Sequence, residues 1–533
     1  MNTADRALPP KWAEVTLHDV LLGHANGKVL QHGWSPQCEK WPSGSPEDWG
    51  VLKTTAVQAG AFLEEHNKLL PKKLHPRAHL EVRPGDMLIT CAGPRVRCGV
   101  PALVRNTRPR LILSGKMYRF RGNPELIDPR YLEALLLSPE SQAAIDGMKT
   151  GISDSGLNLT HDRFVRLRVI LAPLAEQTRI ADRIEELFSD LSAGVAALEQ
   201  VQRKLKRYRS AVLHAAVTGR LTAAWRKQHG PPPEPGNKLL ARILVERRLN
   251  WETQTLAQYR KERRQPPKNW RDRYQMPVEP KPNDLPELPD GWCWATVDQL
   301  LIEGLSSGIS VKGQDTPPGV AALKLNALTD NGFDYTAIRY IPIDRRTAEA
   351  NAIREGDFYV SRGNGSLRLL GRGTVAQRPP RQIVFPDTMI RFRLSPSAAY
   401  LPTFWPSPLV RRQIEKKAKT TAGIHKVSQA DLESIVVPLP PIEEQAEEIA
   451  MIQEKLSQID AMEAEVKRGL ARAMRLRQSI LKSAFAGKLV PRDPKDESAK
   501  ELLERVRCAL KGRPTKSDDL PKRSKNAKKQ RIA

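Results

Sequence analysis

Cysteine is scarce in this 533-residue sequence. Its five residues, Cys38, Cys91, Cys98, Cys293 and Cys508, are odd in number and never spaced as CxxC. That excludes a disulfide-stapled scaffold and suits a reducing cytoplasm. Long apolar runs are also missing. Nothing approaches the ~20 residues of a membrane span, and the opening "MNTADRALPPKW" lacks the apolar segment of an export signal. The expectation is a cytoplasmic chain with no membrane partner.

Catalytic signatures are absent as well. There is no GxxxxGK[ST] phosphate loop and no [N/D]PP[F/Y/W], the motif expected for methylation of a base amino group. "RGNG" at 362–365 supplies only a lone GxG in an Arg- and Gly-rich turn. His32, His75 and His79 with Cys38, Cys91 and Cys98 match no zinc spacing. Acid pairs such as "EEQAEE" fit the solvated face of a helix start. No catalytic residue, metal site or resident cofactor is expected. The chain reads as one that binds and positions.

What is abundant is positive charge. Lys and Arg number 86 against 60 Asp and Glu, a net +26, with pI near 9.9 and mean hydropathy −0.48. Such a field favours a polyanion, most often nucleic acid. Residues 511–533 hold nine Lys/Arg against Asp518 and Asp519 and read as a basic disordered tail. They carry only a fraction of the excess, so the ordered part is basic too.

The chain is also one unit written twice. "LPPKW" ending at Trp12 returns as "LPDGW" ending at Trp292, and "VRPGD" ending at Asp86 returns as "IREGD" ending at Asp357. "MYRFR" from Met117 returns from Met389 as "MIRFR". "YL…SP" at Tyr131 and Ser138 returns at Tyr400 and Ser407. "PLAEQ" from Pro173 returns from Pro441 as "PIEEQ", and "AVTGRL" around Gly219 returns as "AFAGKL" around Gly487. The order never changes and the offsets drift slowly, as loop insertions would make them.

In each copy the residues after the proline repeat apolar side chains at spacings of three and four. They include Ile180, Ile184, Leu187, Leu205, Tyr208 and Val212, then Ile452, Leu456, Ile459, Met462, Val466 and Ile480. That spacing predicts two long amphipathic helices with a coiled-coil seam, packed antiparallel, each closed by a C-cap glycine.

The predicted class is α+β: two mixed domains separated by two long antiparallel helices in a pseudo-twofold duplication. The expected boundaries are a first mixed domain at 8–172 and a long helix region at 173–225. A Pro-rich basic linker with a helix follows at 226–287. The second mixed domain spans 288–438, the second long helix and a short one 439–510, and the tail 511–533.

Most candidate contacts lie in loops where the copies differ. The first domain offers Ser35, Gln37, Lys53, Arg95 and Arg97; the second offers Ser310, Lys312, Lys324, Arg362, Asn364, Arg368 and Arg372. Arg reads guanine bidentately and Asn or Gln reads adenine. Lys and Ser more often hold phosphates.

Taken in order, the chain is a domain, "PLAEQ", "TGRL", a second domain, "PPIEEQ" and "AGKL". With "SPQCE…WGVLKTTAV" and "PPKNWRDRY…LPELPDGWCWATV", it closely resembles the specificity subunit of type I DNA restriction–modification enzymes, over all but the tail. The resemblance implies that each mixed domain is a target recognition domain reading half of a split, asymmetric site in double-stranded DNA. It implies that the helices set the spacing and dock two methyltransferase subunits, with restriction/translocase subunits in the same assembly. Pro173, Glu176, Gln177, Gly219, Pro441, Glu444, Gln445 and Gly487 are the candidate spacer and docking positions. S-adenosylmethionine, ATP and Mg are then expected on the partner subunits. The alternatives are a single-chain DNA methyltransferase or restriction enzyme, and a DNA-binding coiled-coil scaffold without sequence specificity.

Overall fold

A computed structural model describes residues 8–23, 28–281, 285–329, 332–421 and 423–511. The basic tail beyond 511 lies outside the described residues. The chain divides into two compact units. The first joins the residues through Leu198 to those from Arg468 onward, and the second is Glu199–Lys467.

The two units repeat one architecture. In the first, a four-stranded antiparallel sheet runs in the order Gln31–His32, Met117–Phe120, Met87–Thr90, Pro101–Leu103. In the second, the matching order is Ser306–Ser307, Met389–Phe392, Phe358–Ser361, Gly373–Val375. Each unit also has an antiparallel pair that brings the domain's first strand back to its last. Ala13–Thr16 pairs with Arg168–Leu171, and Cys293–Thr296 with Val436–Leu439.

The repeated motifs explain themselves as the fixings of this frame. Asp86 and Asp357, closing "RPGD" and "REGD", are buried. Asp86 accepts from Arg121 Nε at 2.7 Å, and Asp357 from Arg393 Nε and Nη2 at 3.2 Å each. Those arginines end the repeated "RFR". Tyr131 and Tyr400, wholly buried, donate their hydroxyls to the carbonyls of Ile170 and Pro438 at 2.9 and 2.8 Å. Ser138 and Ser407 cap the helices Pro139–Met148 and Pro408–Lys417.

Four further helices shape the molecule: α1 (Leu174–Val217), α2 (Gly236–Lys261), α3 (Ile442–Ala484) and α4 (Ala499–Lys511). The predicted long helices are therefore α1, of 44 residues, and α3, of 43. Within the first unit the beginning of α1 lies antiparallel to the end of α3: the Arg477 guanidinium sits 4.3 Å over the Phe188 ring, and Gly469 faces Leu198. Within the second unit the end of α1 lies along the beginning of α3, where Arg209 pairs with Asp460 and, at 3.3 Å, with Glu463. Two predicted seam residues, Tyr208 and Met462, are about half exposed instead. Period alone places a residue within one side of a helix and cannot separate the seam from its rim.

The linker expected at 226–287 is folded into the second unit. Leu239 and Ile243 of α2 are buried in its core beside Trp292 and Ala295, and Arg247 Nη2 pairs with Asp298 at 2.8 Å. The shorter α4 holds the same place in the first unit. Its Ala499 amide bonds the Lys11 carbonyl at 2.9 Å, as the Gly236 amide bonds that of Gly291 at 2.6 Å.

Candidate nucleic-acid interface

The helix-start residues Glu176, Gln177, Glu444 and Gln445 are at most 4 % exposed. Glu176 accepts from the Trp12 indole at 2.9 Å, and Glu444 from the Trp292 indole at 2.7 Å. Gln177 accepts from the Asp128 amide and donates to the carbonyls of Leu126 and Ala172. Gln445 donates to Pro440 at 3.0 Å. Pro173 and Pro441 are buried too. These six buried side chains fix each helix to its own domain.

Gly219 and Gly487 end α1 and α3 at φ 64° and 66°. The Arg220 amide reaches back to Ala215 and the Gly219 amide to Ala216, both at 2.8 Å; Lys488 to Ser483 and Gly487 to Ala484, both at 3.0 Å, repeat the pattern. This is the Schellman closure, in which a residue with positive φ lets two amides satisfy the last carbonyls. A Cβ on Gly219 would lie 2.5 Å from Pro289 Cγ, and one on Gly487 2.7 Å from Pro9 Cγ. Those prolines belong to the repeated "LPxxW".

In the first domain, Ser35 and Gln37 are exposed on the long connection after Gln31–His32. Lys53 is half-buried, and its amide bonds His66. Arg95 and Arg97 occupy the turn before Pro101–Leu103. Arg95 is clamped by Asp146 at 2.7 Å and Asp154 at 3.1 Å. Both are surface ion pairs, and Arg95 itself is exposed. Arg97 carries no side-chain partner among the described residues.

In the second domain, Ser310 and Lys312 are exposed on the loop after Ser306–Ser307. Lys324, the counterpart of Lys53, is tied to Asp315 at 2.7 Å. Arg368 is exposed, and Arg362 turns toward Ser307 Oγ at 3.5 Å. Asn364 and Arg372 meet in one pocket of ≈ 530 Å³ with Asn326 and Ser361. There Asn364 Oδ1 accepts from the Ser366 amide at 3.0 Å, and Arg372 reaches the Leu328 carbonyl at 3.4 Å.

Two features escape sequence reading. Asn326 and Ser361 join that pocket, although Asn326 sits inside "LKLNAL", where the first copy has Thr55. The "RGNG" segment is more than a turn: Gly363–Asn364 pairs with Ile424–Lys426, which pairs with Lys419–Thr421. That small sheet adds Lys419 and Lys426 to the same basic region. The first domain has a shorter version, Ala92–Gly93 against Leu157–Asn158.

Burial pushes the Cys91 thiol up to about 12 and raises that of Cys98, so neither is an activated nucleophile. Among the described residues no His, Cys, Asp and Glu gather to hold a metal, and no helix is long and apolar enough to cross a membrane.

No family model matches the chain. Curated relatives do. The chain is 27 % identical over 473 residues to the EcoKI type I restriction enzyme specificity subunit of Escherichia coli (strain K12), covering 86 % of this chain and 88 % of that protein. Over 209 residues it is 35 % identical to the EcoEI specificity subunit of Escherichia coli, covering 39 % of this chain and 33 % of that one. A chain solved in work on the complex assembly and conformational transition of the type I R-M system superposes with a TM-score of 0.52. It is 18 % identical and spans 91 % of this chain and 100 % of its own length, a likeness of fold.

Proposed function

We propose that this chain, similar over most of its length to type I restriction enzyme specificity subunits, is the DNA-reading subunit of such an enzyme. Each mixed domain reads one half of a bipartite, asymmetric target in double-stranded DNA. The observation that carries this is the division of labour between the copies. Residues that build the frame recur with the same partners, while the exposed polar and basic loops around Ser35, Gln37 and Arg97 and around Lys312, Asn364 and Arg368 do not.

The chain does no covalent chemistry in this reading. Two methyltransferase subunits, docked along α1 and α3, bring S-adenosylmethionine, and restriction/translocase subunits bring ATP and Mg. Docking falls to the outer faces of the helices, since the helix-start motifs are buried. The helices also set the distance between half-sites, with centres about one DNA turn, roughly 10 bp, apart. Inserting one helical turn before Gly219 is expected to change that spacing or abolish binding.

The deciding experiment maps adenine methylation genome-wide in cells with and without this chain. A split motif that disappears with the chain is the expected result. Methylation that is unchanged, or falls without a motif, refutes the reading. A single-chain enzyme would bind S-adenosylmethionine in isolation. A non-specific scaffold would lack the ~10³-fold preference of a specific reader.

A further inference from the structure

The second unit carries a charged surface that the two reading domains leave unused. Past the middle of α2 the chain runs out to Lys261, turns, and comes back as a short 3-10 turn at Trp270–Arg273. Between 260 and 273 it holds seven Lys/Arg against Glu262 and Asp272. Arg260, Lys261, Arg263, Arg264, Lys268 and Arg271 are all exposed. Arg260, Lys261, Arg263 and Lys268 have no side-chain partner among the described residues.

This hook is built. Trp270 is 7 % exposed and stacks on Trp251 of α2, with ring centroids 5.7 Å apart and planes at 22°. Tyr274 meets Trp251 edge-on at 5.3 Å. Arg273 donates to the Tyr259 hydroxyl at 3.3 Å, and Arg271 lies 4.9 Å over the Trp270 ring. The aromatic side is folded inward and the cations are left outward, on a backbone held in one shape. A helix end tolerates cations through its dipole, which accounts for Arg260 and Lys261. It does not account for Lys268, Arg271 and Arg273, which lie beyond the helix.

We propose that this hook is a phosphate-binding surface for duplex DNA, separate from the candidate reading loops, that adds affinity without sequence preference. The inference rests on the DNA-reading function proposed above. An outward row of seven Arg and Lys, with Gln265 and Asn269 the only exposed amide side chains among them, fits the backbone, which takes charge from any sequence.

The test uses the full chain and a 50-bp duplex of mixed sequence, with affinity measured against salt. The quadruple variant Arg260→Gln, Arg263→Gln, Arg264→Gln and Lys268→Gln is expected to lower the salt slope by about 3 to 4, since each phosphate contact contributes ~0.9. Replacing the three arginines by Lys should keep the wild-type slope. A control of equal charge change, Arg345→Gln, Arg346→Gln, Arg412→Gln and Lys416→Gln, calibrates the long-range field. A hook variant that loses no more slope than this control overturns the proposal, and the acidic surface of a protein partner becomes the better fit. A wild-type chain that binds no duplex at any salt overturns the DNA-reading function itself.

Discussion

The two units differ most instructively at the heads of their long helices. Below Glu176, α1 buries Ile180; at the matching place below Glu444, α3 buries Glu448. Ile180 packs against apolar neighbours. Glu448 Oε2 lies 2.8 Å from the Thr222 hydroxyl oxygen, and its other oxygen has no partner among the described residues. Thr222 donates to Glu444, which Arg226 pairs. The indole–carboxylate fixing is common to both joints, so it is the part the frame requires. The buried acid pair is an addition of the second unit alone.

The largest effect tests what the units share. Asp86→Ala and Asp357→Ala each remove a buried carboxylate that faces two arginines, Arg119 and Arg121 in one unit and Arg391 and Arg393 in the other, and should cost about 3–5 kcal/mol. Chemical denaturation of the two variants should show comparable losses, each in the transition of its own unit. A large loss from one and almost none from the other would break the equivalence of the frames.

The next effect tests where they diverge. Burial and the neighbouring Glu444 push the Glu448 carboxyl up to about 8, against an ordinary 4.5. The folded state therefore keeps a proton that the unfolded chain loses above about 4.5. The stabilisation is complete in acid and is lost as pH rises through about 8, some 3 kcal/mol between pH 5 and pH 8. Melting of the second unit should show this slope, and Glu448→Gln should flatten it. A slope that survives in the Gln variant would place the titration elsewhere.

Smaller still, Gly219→Ala and Gly487→Ala should each cost about 1–2 kcal/mol, because both need positive φ and both face a proline ring. Unequal costs would show that one helix end is held by other means. The smallest effect is expected from rearranging the chain. Lys11 Nζ lies 2.6 Å from the Asp496 carbonyl, so the start of the first domain and the segment after α3 are neighbours. A permutant opened near 285, with residue 511 joined to residue 8, should retain the circular dichroism and thermal melting of the parent. An unfolded permutant would show that the chain order matters to one unit more than to the other.

Much of this frame was legible in the sequence because duplication reports structure directly: a residue kept at a fixed offset through drift is kept for a partner. The helices, the C-cap glycines and the mixed domains followed. The partners did not, because spacing carries no information on which residue closes a pair 164 positions away, as Trp12 does with Glu176. For the same reason Glu444, within "EEQAEE", read as part of a solvated helix face and proved buried. The linker misled because proline marks a break in local structure and is silent on packing, and α2 sits between two proline clusters yet buries Leu239 and Ile243. Of the candidate contacts, Ser35, Gln37, Ser310, Lys312 and Arg368 are exposed, while Arg95 and Lys324 form surface ion pairs with Asp146, Asp154 and Asp315.

The first unit is built from two separated segments, residues up to Leu198 and residues from Arg468 onward, and that sets an order of events during synthesis. Phe485 stacks edge-on against Tyr131 at 5.3 Å, and Ile480, Leu481 and Ala484 fill the same core. The second unit is contiguous, Glu199–Lys467. A ribosome moving at ~5–20 residues per second needs about 15–55 s to cross that stretch. Throughout that interval the first domain exists without its last layer and exposes the apolar side of Tyr131. The part translated first is finished last, so the nascent chain depends on the early domain staying soluble while its later sibling matures.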